Sequence, residues 1–327
     1  MRSAVLLLAL CACTRGTPFV AGSPPGLPPD AGVADSPPSP PGGGVAGAGP
    51  TFAGCPMFPA SDAWNTDVSA VPADPHSADY LAFMGAGTLF LHPNFGGPYG
   101  QPVTVVAGTQ PRVPMSFLYT SQSEPGPYPF PPDVGIEAGP DRHVTVLENG
   151  DCKIFETYNT FASGAGFHAD SGAVFDLVTG APRPDGWTSA TAAGLPILPG
   201  LARYDEVVEQ GEVRHALAFI AGGTAHKYVA PATHSSGTST AQFAPPMGLR
   251  VRLRADFDLS GFKGPSLVIL RALQKYGMFV TDNAGGQFWS LAGALDSRWP
   301  VAELEPLKTV PASAFEVVQL GTVHTGQ

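Results

Sequence analysis

Residues 143–161, HVTVLENGDCKIFETYNTF, decide the fold. Two runs of alternating apolar and polar residues flank Asn149-Gly150, and Asn-Gly between such runs is the strongest short-range signal for a β-hairpin. Period-2 alternation puts Ile154, Glu156, Tyr158 and Thr160 on one side of the sheet, with Lys153, Phe155, Thr157, Asn159 and Phe161 on the other.

Outward from this hairpin, strand patterns recur. Residues 88–92, 101–107, 113–120, 173–178, 213–220, 225–229, 278–281 and 315–320 all read as strands. Residues 249–258 read as a strand, and over 249–254 Leu249, Val251 and Leu253 alternate with Arg250, Arg252 and Arg254, whose basic face reads as solvated. Six of the 20 residues 121–140 are Pro, which makes that stretch a loop or edge segment. Residues 266–276, SLVILRALQKY, are the firm helix. Leu267, Leu270 and Leu273 form its stripe, Lys275 sits in its last turn, and Gly277 is the expected stop. Shorter helices are expected within 74–84, capped by Asp74 or Ser77, after a Thr188 or Ser189 cap, and over 301–305.

Composition agrees. Charged residues are 13% of the chain, against 40 Gly and 36 Pro. Few charges with many turn formers favour short strands over a helical bundle. The expected fold is mainly β, an antiparallel sandwich, jelly-roll-like or barrel core with two or three short helices. The net charge of −10 disfavours nucleic acid as a partner, because no basic stripe replaces its counterions.

The N-terminus predicts export. One basic residue, Arg2, precedes an apolar run over residues 4–12 that suits a secretory signal and is too short to span a bilayer. Leu10-Cys11-Ala12-Cys13 looks like a bacterial lipobox. Cutting after residue 12 would leave Cys13 to carry lipid and anchor the chain to a membrane, in a cell-envelope location. If Cys13 is not lipidated, the product is freely secreted. Residues 17–53 hold ten Pro and eight Gly, and Asp30 and Asp35 are their only charges. They read as a disordered linker with a reach of roughly 30–35 Å. The boundaries are then 1–12 signal, 13–53 anchor and linker, and 54–327 one β-rich domain.

Removing Cys11 and lipidating Cys13 leaves Cys55 and Cys152. In an exported domain these suggest a disulfide, with two buried free thiols as the alternative.

Several chemistries lack their signatures. There is no G-x-S-x-G elbow, no H-E-x-x-H, no Walker A and no metal-ligand cluster, so neither metal nor cofactor is expected. A G-x-G-x-x-G match at 42–47 falls in the linker, without the strand and helix that would make it a nucleotide cradle. What remains is a set of carboxylates and histidines at element edges in an acidic, aromatic-bearing β domain, which points to extracellular polysaccharide. A glycoside hydrolase needs two carboxylates across the sugar bond, and a polysaccharide lyase needs a Tyr or His base. The catalytic candidates are Glu156, Asp205 and Glu206, supported by Tyr158 and His215. Ligand-binding candidates are Trp187, His143 and Asp282. Each has a plainer alternative: a surface strand residue for Glu156, a cap or turn for Asp205-Glu206 and Asp282-Asn283, and satisfied structural histidines for His143 and His215. A tryptophan, too, is more often core than sugar platform. The competing function is a non-catalytic surface module binding glycan or an envelope protein.

Residues 54–320 resemble a family of exported bacterial β-rich proteins. The stretches that carry the resemblance are CPMFPASDAWNTDVS (55–69), DRHVTVLENGDCKIFETYN (141–159), SGAVFDL (171–177), GWTSATAAGLPILPGLARYDEV (186–207), PPMGLRVRLRADFDLSGF (245–262) and ILRALQKYGMFVTDN (269–283). The resemblance implies one contiguous domain, secreted or lipid-anchored, with Cys55 and Cys152 both part of the pattern. It carries no activity and no catalytic residue.

Overall fold

The computed structural model describes residues 49–283 and 289–326. The expected signal, the lipidation candidate Cys13 and the expected linker up to residue 48 lie outside the described residues. Thr51–Phe52 already pairs antiparallel with Cys55–Pro56, so folded chain begins before the boundary expected at residue 54. The fold is mainly β, as expected, in several sheets, one of them curled like half a barrel.

The hairpin forms. Val144–Glu148 pairs antiparallel with Lys153–Tyr158, in a register that sets Val146 opposite Phe155 and Thr145 opposite Glu156. Its turn is a four-residue loop with Cys152 in the left-handed region (φ 53°) rather than a two-residue Asn-Gly turn. Ser171–Asp176 joins one side antiparallel and Val103–Val106 joins the other in parallel, giving a four-stranded sheet. This sheet is buried on both faces. Leu147, Ile154 and Phe175 enter the main core, whereas Val146 and Phe155 pack with Tyr128 and Phe130 in a smaller one. Cys55 and Cys152 are joined by a disulfide across 97 positions, and they tie the first strands to the hairpin turn. Disulfides of this kind persist in oxidising compartments. Among the described residues no helix is long and apolar enough to cross a membrane.

The second large sheet has six strands in the order Phe315–Val317, Arg250–Leu253, Met278–Asn283, Leu217–Ala221, Trp289–Leu291 and Leu91–Pro93. It is mixed: Leu217–Ala221 runs parallel to Met278–Asn283, and the helix Gly264–Lys275 immediately precedes the latter. That helix forms two residues earlier than its sequence pattern starts, and of the expected stripe Leu270 and Leu273 are buried while Leu267 is only half-buried. Ile269 is also buried, and Gly277 ends the helix at φ 66°.

Three local expectations are corrected. First, the basic face of residues 249–254 is not solvated. Arg250 and Arg252 are buried. Arg250 donates to the carbonyls of Tyr276, Ala63 and Thr66 (2.7–2.9 Å). Arg252 donates to Glu316 (2.7 Å) and to the Val68 carbonyl. These guanidiniums satisfy the orphan carbonyls of the irregular N-terminal segment, and only Arg254 is exposed. Second, no helix follows Thr188 or Ser189. The Ser189 and Thr191 hydroxyls both donate to the Leu195 carbonyl (2.6 and 3.0 Å), which folds the chain into a tight loop instead of a helix. Third, the early helix is Ser77–Phe83, and of the two expected caps only Asp74 serves its start, with Oδ1 accepting the His76 amide (2.8 Å). The Asp74 side chain accepts the Leu320 amide and Ser77 Oγ accepts that of Val317, so both hold the C-terminal segment.

Candidate functional site

A cleft of about 560 Å³ opens where the hairpin sheet meets the carboxyl end of the parallel pair in the six-stranded sheet. Tyr158 comes from the end of one hairpin strand and Ser171 from the start of its neighbour. Asp282 and Asn283 end their strand there, the end at which ligands collect in parallel sheets. Residues 188–192 and 234–236 form the walls, and Asp141 sits on the lip. The lining is rich in hydroxyls, amides and carboxylates, and among the described residues it contains no Lys or Arg.

Ala192 organises the chemistry. Its amide donates to Asp282 Oδ2 (3.4 Å), and its carbonyl accepts from His234 Nδ1 (2.8 Å). The second bond fixes the His234 tautomer, so Nε2 carries the lone pair. Burial holds His234 below the usual histidine range and hence neutral. Asp282 is closely packed yet keeps part of its surface open to the cleft. Burial raises its carboxyl above the usual range and the Asp141 charge adds to this, against the Asn283 amide, His143 and the Ala192 amide. One residue thus holds a carboxyl whose pKa is raised on one side and a neutral imidazole on the other.

His143 lies beneath them, buried, its ring 5.6 Å from that of Tyr158. Both its nitrogens face acceptors, Glu137 Oε2 at 2.6 Å and the Ala190 carbonyl at 3.0 Å. Only an imidazolium can donate to both. Burial opposes that charge, but the Glu137 carboxylate outweighs it and raises the His143 pKa. Glu137 in turn is held low by His143 against its own burial. Tyr158 is half-buried and its hydroxyl has no hydrogen bond among the described residues. Burial and the charges of Asp141, Asp170 and Asp282 raise its pKa, so it stays protonated.

The structure therefore brings Tyr158, His143 and Asp282 together, and it sets the other candidates apart. Glu156 is fully buried, its two oxygens accepting the amides of Ile197 (2.8 Å) and Leu198 (2.9 Å). It is neither a surface residue nor a cleft-lining one. Glu206 and His215 meet each other in the core, at 3.0 Å. Glu206 also accepts from Arg203 Nη2 (2.7 Å) and the Arg203 amide (3.0 Å), while His215 Nδ1 donates to the Ala216 carbonyl (2.7 Å). Asp205 pairs with the same Arg203 at 3.3 Å. All three are outside the cleft. Trp187 is half-buried against Arg183, and Trp64, Trp289 and Trp299 are core residues. Of the residues around the cleft, His234 is the one that sequence reasoning missed, while Glu137 and Asp141 stand with His143 among the carboxylates and histidines at element edges. Asp141 and Glu137 flank His143 in sequence, but His234 stands in a Ser/Thr-rich loop that shows no periodicity.

Among the described residues no group of three or more His, Cys, Asp or Glu could hold a metal ion. Comparison with protein-family models, curated proteins and solved structures finds no match.

Proposed function

We propose that the protein is an exported enzyme, tethered to a membrane through lipid on Cys13, that hydrolyses neutral or amino-bearing extracellular polysaccharide in this cleft. The observation that carries the reading is the Ala192 bridge, which pairs a carboxyl biased toward its protonated form with a neutral imidazole in a hydroxyl-rich cleft. Environments that set an acid and a base apart in this way mark general acid–base sites.

In this reading Asp282 protonates the glycosidic oxygen as the bond to the anomeric carbon breaks. Water attacks that carbon and its proton passes to His234 Nε2, and transfer back to Asp282 resets the site. Asp141 supports the positive charge that develops on the sugar, and the Tyr158 hydroxyl orients it. Hydrolysis is favoured over β-elimination for two reasons. No lining Lys or Arg among the described residues would neutralise a uronate, and Tyr158 is a poor base with its pKa raised. Depolymerisation of neutral and amino glycans by the purified chain is the test. Release of reducing ends that is lost in His234→Gln supports the reading, and release unchanged by that substitution contradicts it. The second reading is a binding module that holds glycan without cleaving it. It draws on the backbone hydrogen bonds that occupy both Asp282 oxygens. Saturable glycan binding without bond cleavage would establish it.

A further inference from the structure

A second cavity, of about 420 Å³, shares a wall with the cleft. Residues 188–192 and 234–236 line the cleft, and the neighbouring 194–196 and 230–233 line the cavity. Hydrogen bonds stitch the wall together. The Thr233 and His234 amides both donate to the Ala193 carbonyl (3.0 and 3.2 Å), and Thr233 Oγ1 donates to the Trp187 carbonyl (2.9 Å). The cavity differs in chemistry from the cleft. Its walls are largely apolar and aromatic, with Phe58, Trp64, Phe175 and Tyr228 among them, and Asp62 and Asp185 bring two carboxylates into it.

Neither carboxylate is neutralised. Asp62 Oδ1 accepts the Trp64 amide (2.9 Å) and Asp185 Oδ1 accepts the Tyr228 hydroxyl (2.7 Å). Among the described residues, the second oxygen of each has no hydrogen bond and neither residue has an ion pair. Two basic side chains among the described residues line the cavity: His324, whose ring stacks on that of Tyr228 at 5.3 Å, and Arg183, which is engaged elsewhere. Its Nη1 meets Glu124 at 2.5 Å, its Nη2 donates to the Gln122 carbonyl (2.7 Å), and its guanidinium lies near the rings of Phe175 and Trp187. Burial also pushes the Asp62 carboxyl above its usual range, a cost that an incoming positive charge would relieve. Aromatic faces attract cations, and the volume falls in the range of small-molecule sites, roughly 300–1,000 Å³.

The geometry points to a second ligand site, a cavity that takes a small organic cation, an ammonium carried on an apolar or aromatic body, between Asp62 and Asp185. The ring or alkyl part fills the space against Phe58, Phe175 and Tyr228, and the ammonium meets the two free carboxylate oxygens. The site is separate from the acid–base cleft and does not depend on the hydrolytic reading.

Calorimetric titration of the purified full-length chain at pH 7 tests this with three probes of similar shape: 2-phenylethylamine, 2-phenylethanol and 3-phenylpropanoate. The amine is expected to bind at least about tenfold more tightly than the other two, a preference worth roughly 1.4 kcal/mol. In the Asp62→Asn/Asp185→Asn double variant each amide oxygen can still accept its structural hydrogen bond. There the amine should weaken to the level of the alcohol, with alcohol binding unchanged. Asp282→Asn should leave amine binding as it is. Equal affinity for amine and alcohol, absence of amine binding at millimolar concentration, or a preference that survives in the double variant would each overturn the assignment.

Discussion

Two of the carboxylate–histidine pairs among the described residues lie inside the fold, and they have different fates; another, His76–Asp79, is exposed. Glu206–His215 is closed. Arg203, the Arg203 amide and the Ala216 carbonyl take up the hydrogen-bonding capacity of both side chains, and both are about 2% exposed or less. Glu137–His143 is equally well bonded, but it forms the floor beneath Asp282 and Tyr158, which keep surface open to the cleft. A buried ionisable group whose partners are all accounted for explains itself as architecture. Capacity left over in a cavity, such as His234 Nε2 or the Tyr158 hydroxyl, is what a ligand can use.

The sharpest way to break this contrast is to remove a charge from the closed pair. Glu206→Gln leaves His215 without its carboxylate and Arg203 with only Asp205 at 3.3 Å, and losing one partner of a buried ion pair costs about 3–5 kcal/mol. Urea denaturation should report a loss of that order, with cleft function retained in the fraction that stays folded. In the cleft the effect should reverse. His234→Gln is expected to lower kcat about 10²-fold or more, at near-wild-type stability. Its denaturation midpoint, measured beside the kinetics, checks both parts.

Glu156 sharpens the comparison further, because its position in sequence suggests a cleft residue and its contacts are structural. Glu156→Gln should cost about 1–3 kcal/mol, since one amide loses its acceptor, while activity persists. It should also change the pH dependence of stability. Burial pushes the Glu156 carboxyl up to about 7, against an ordinary value of 4.5. The folded chain therefore holds a proton that the unfolded chain has released. Stability from this group is complete below pH 4.5 and is lost as the pH rises to about 7. That decline should flatten in the glutamine variant, as denaturation at pH 4.5, 5.5, 6.5 and 7.5 would show. The smallest effect expected is that of Tyr158→Phe, a several-fold rise in KM, on the order of 1 kcal/mol for one lost hydrogen bond to ligand.

Legibility in the sequence follows the same division. Periodic elements could be read: the hairpin from 143–161, the helix ending at Gly277, and the disulfide from the cysteine count. Residues whose side chains act on distant backbone could not. The three arginines of 249–254 alternate as a solvated face would. Nothing local reveals that Arg250 meets the carbonyls of Ala63 and Thr66, more than 180 positions away. Ser189 and Thr191 look like helix caps until their hydroxyls are seen to close a loop onto Leu195. In the site, His143, Tyr158 and Asp282 were visible as polar residues at element ends. His234 was not, because its role comes from a tertiary bond to Ala192 rather than from any pattern. Glu156 misled because period-2 reasoning assumes one wet face, and this sheet has cores on both sides.

The most direct measurement compares glycan cleavage and folding stability in three chains: wild type, Asp282→Asn and Glu206→Gln. The account predicts that Asp282→Asn loses at least about 10²-fold in cleavage rate with its denaturation midpoint held, whereas Glu206→Gln loses stability and keeps its rate per folded molecule. An Asp282→Asn chain that cleaves as well as wild type, beside a stable Glu206→Gln chain that does not cleave, would contradict it.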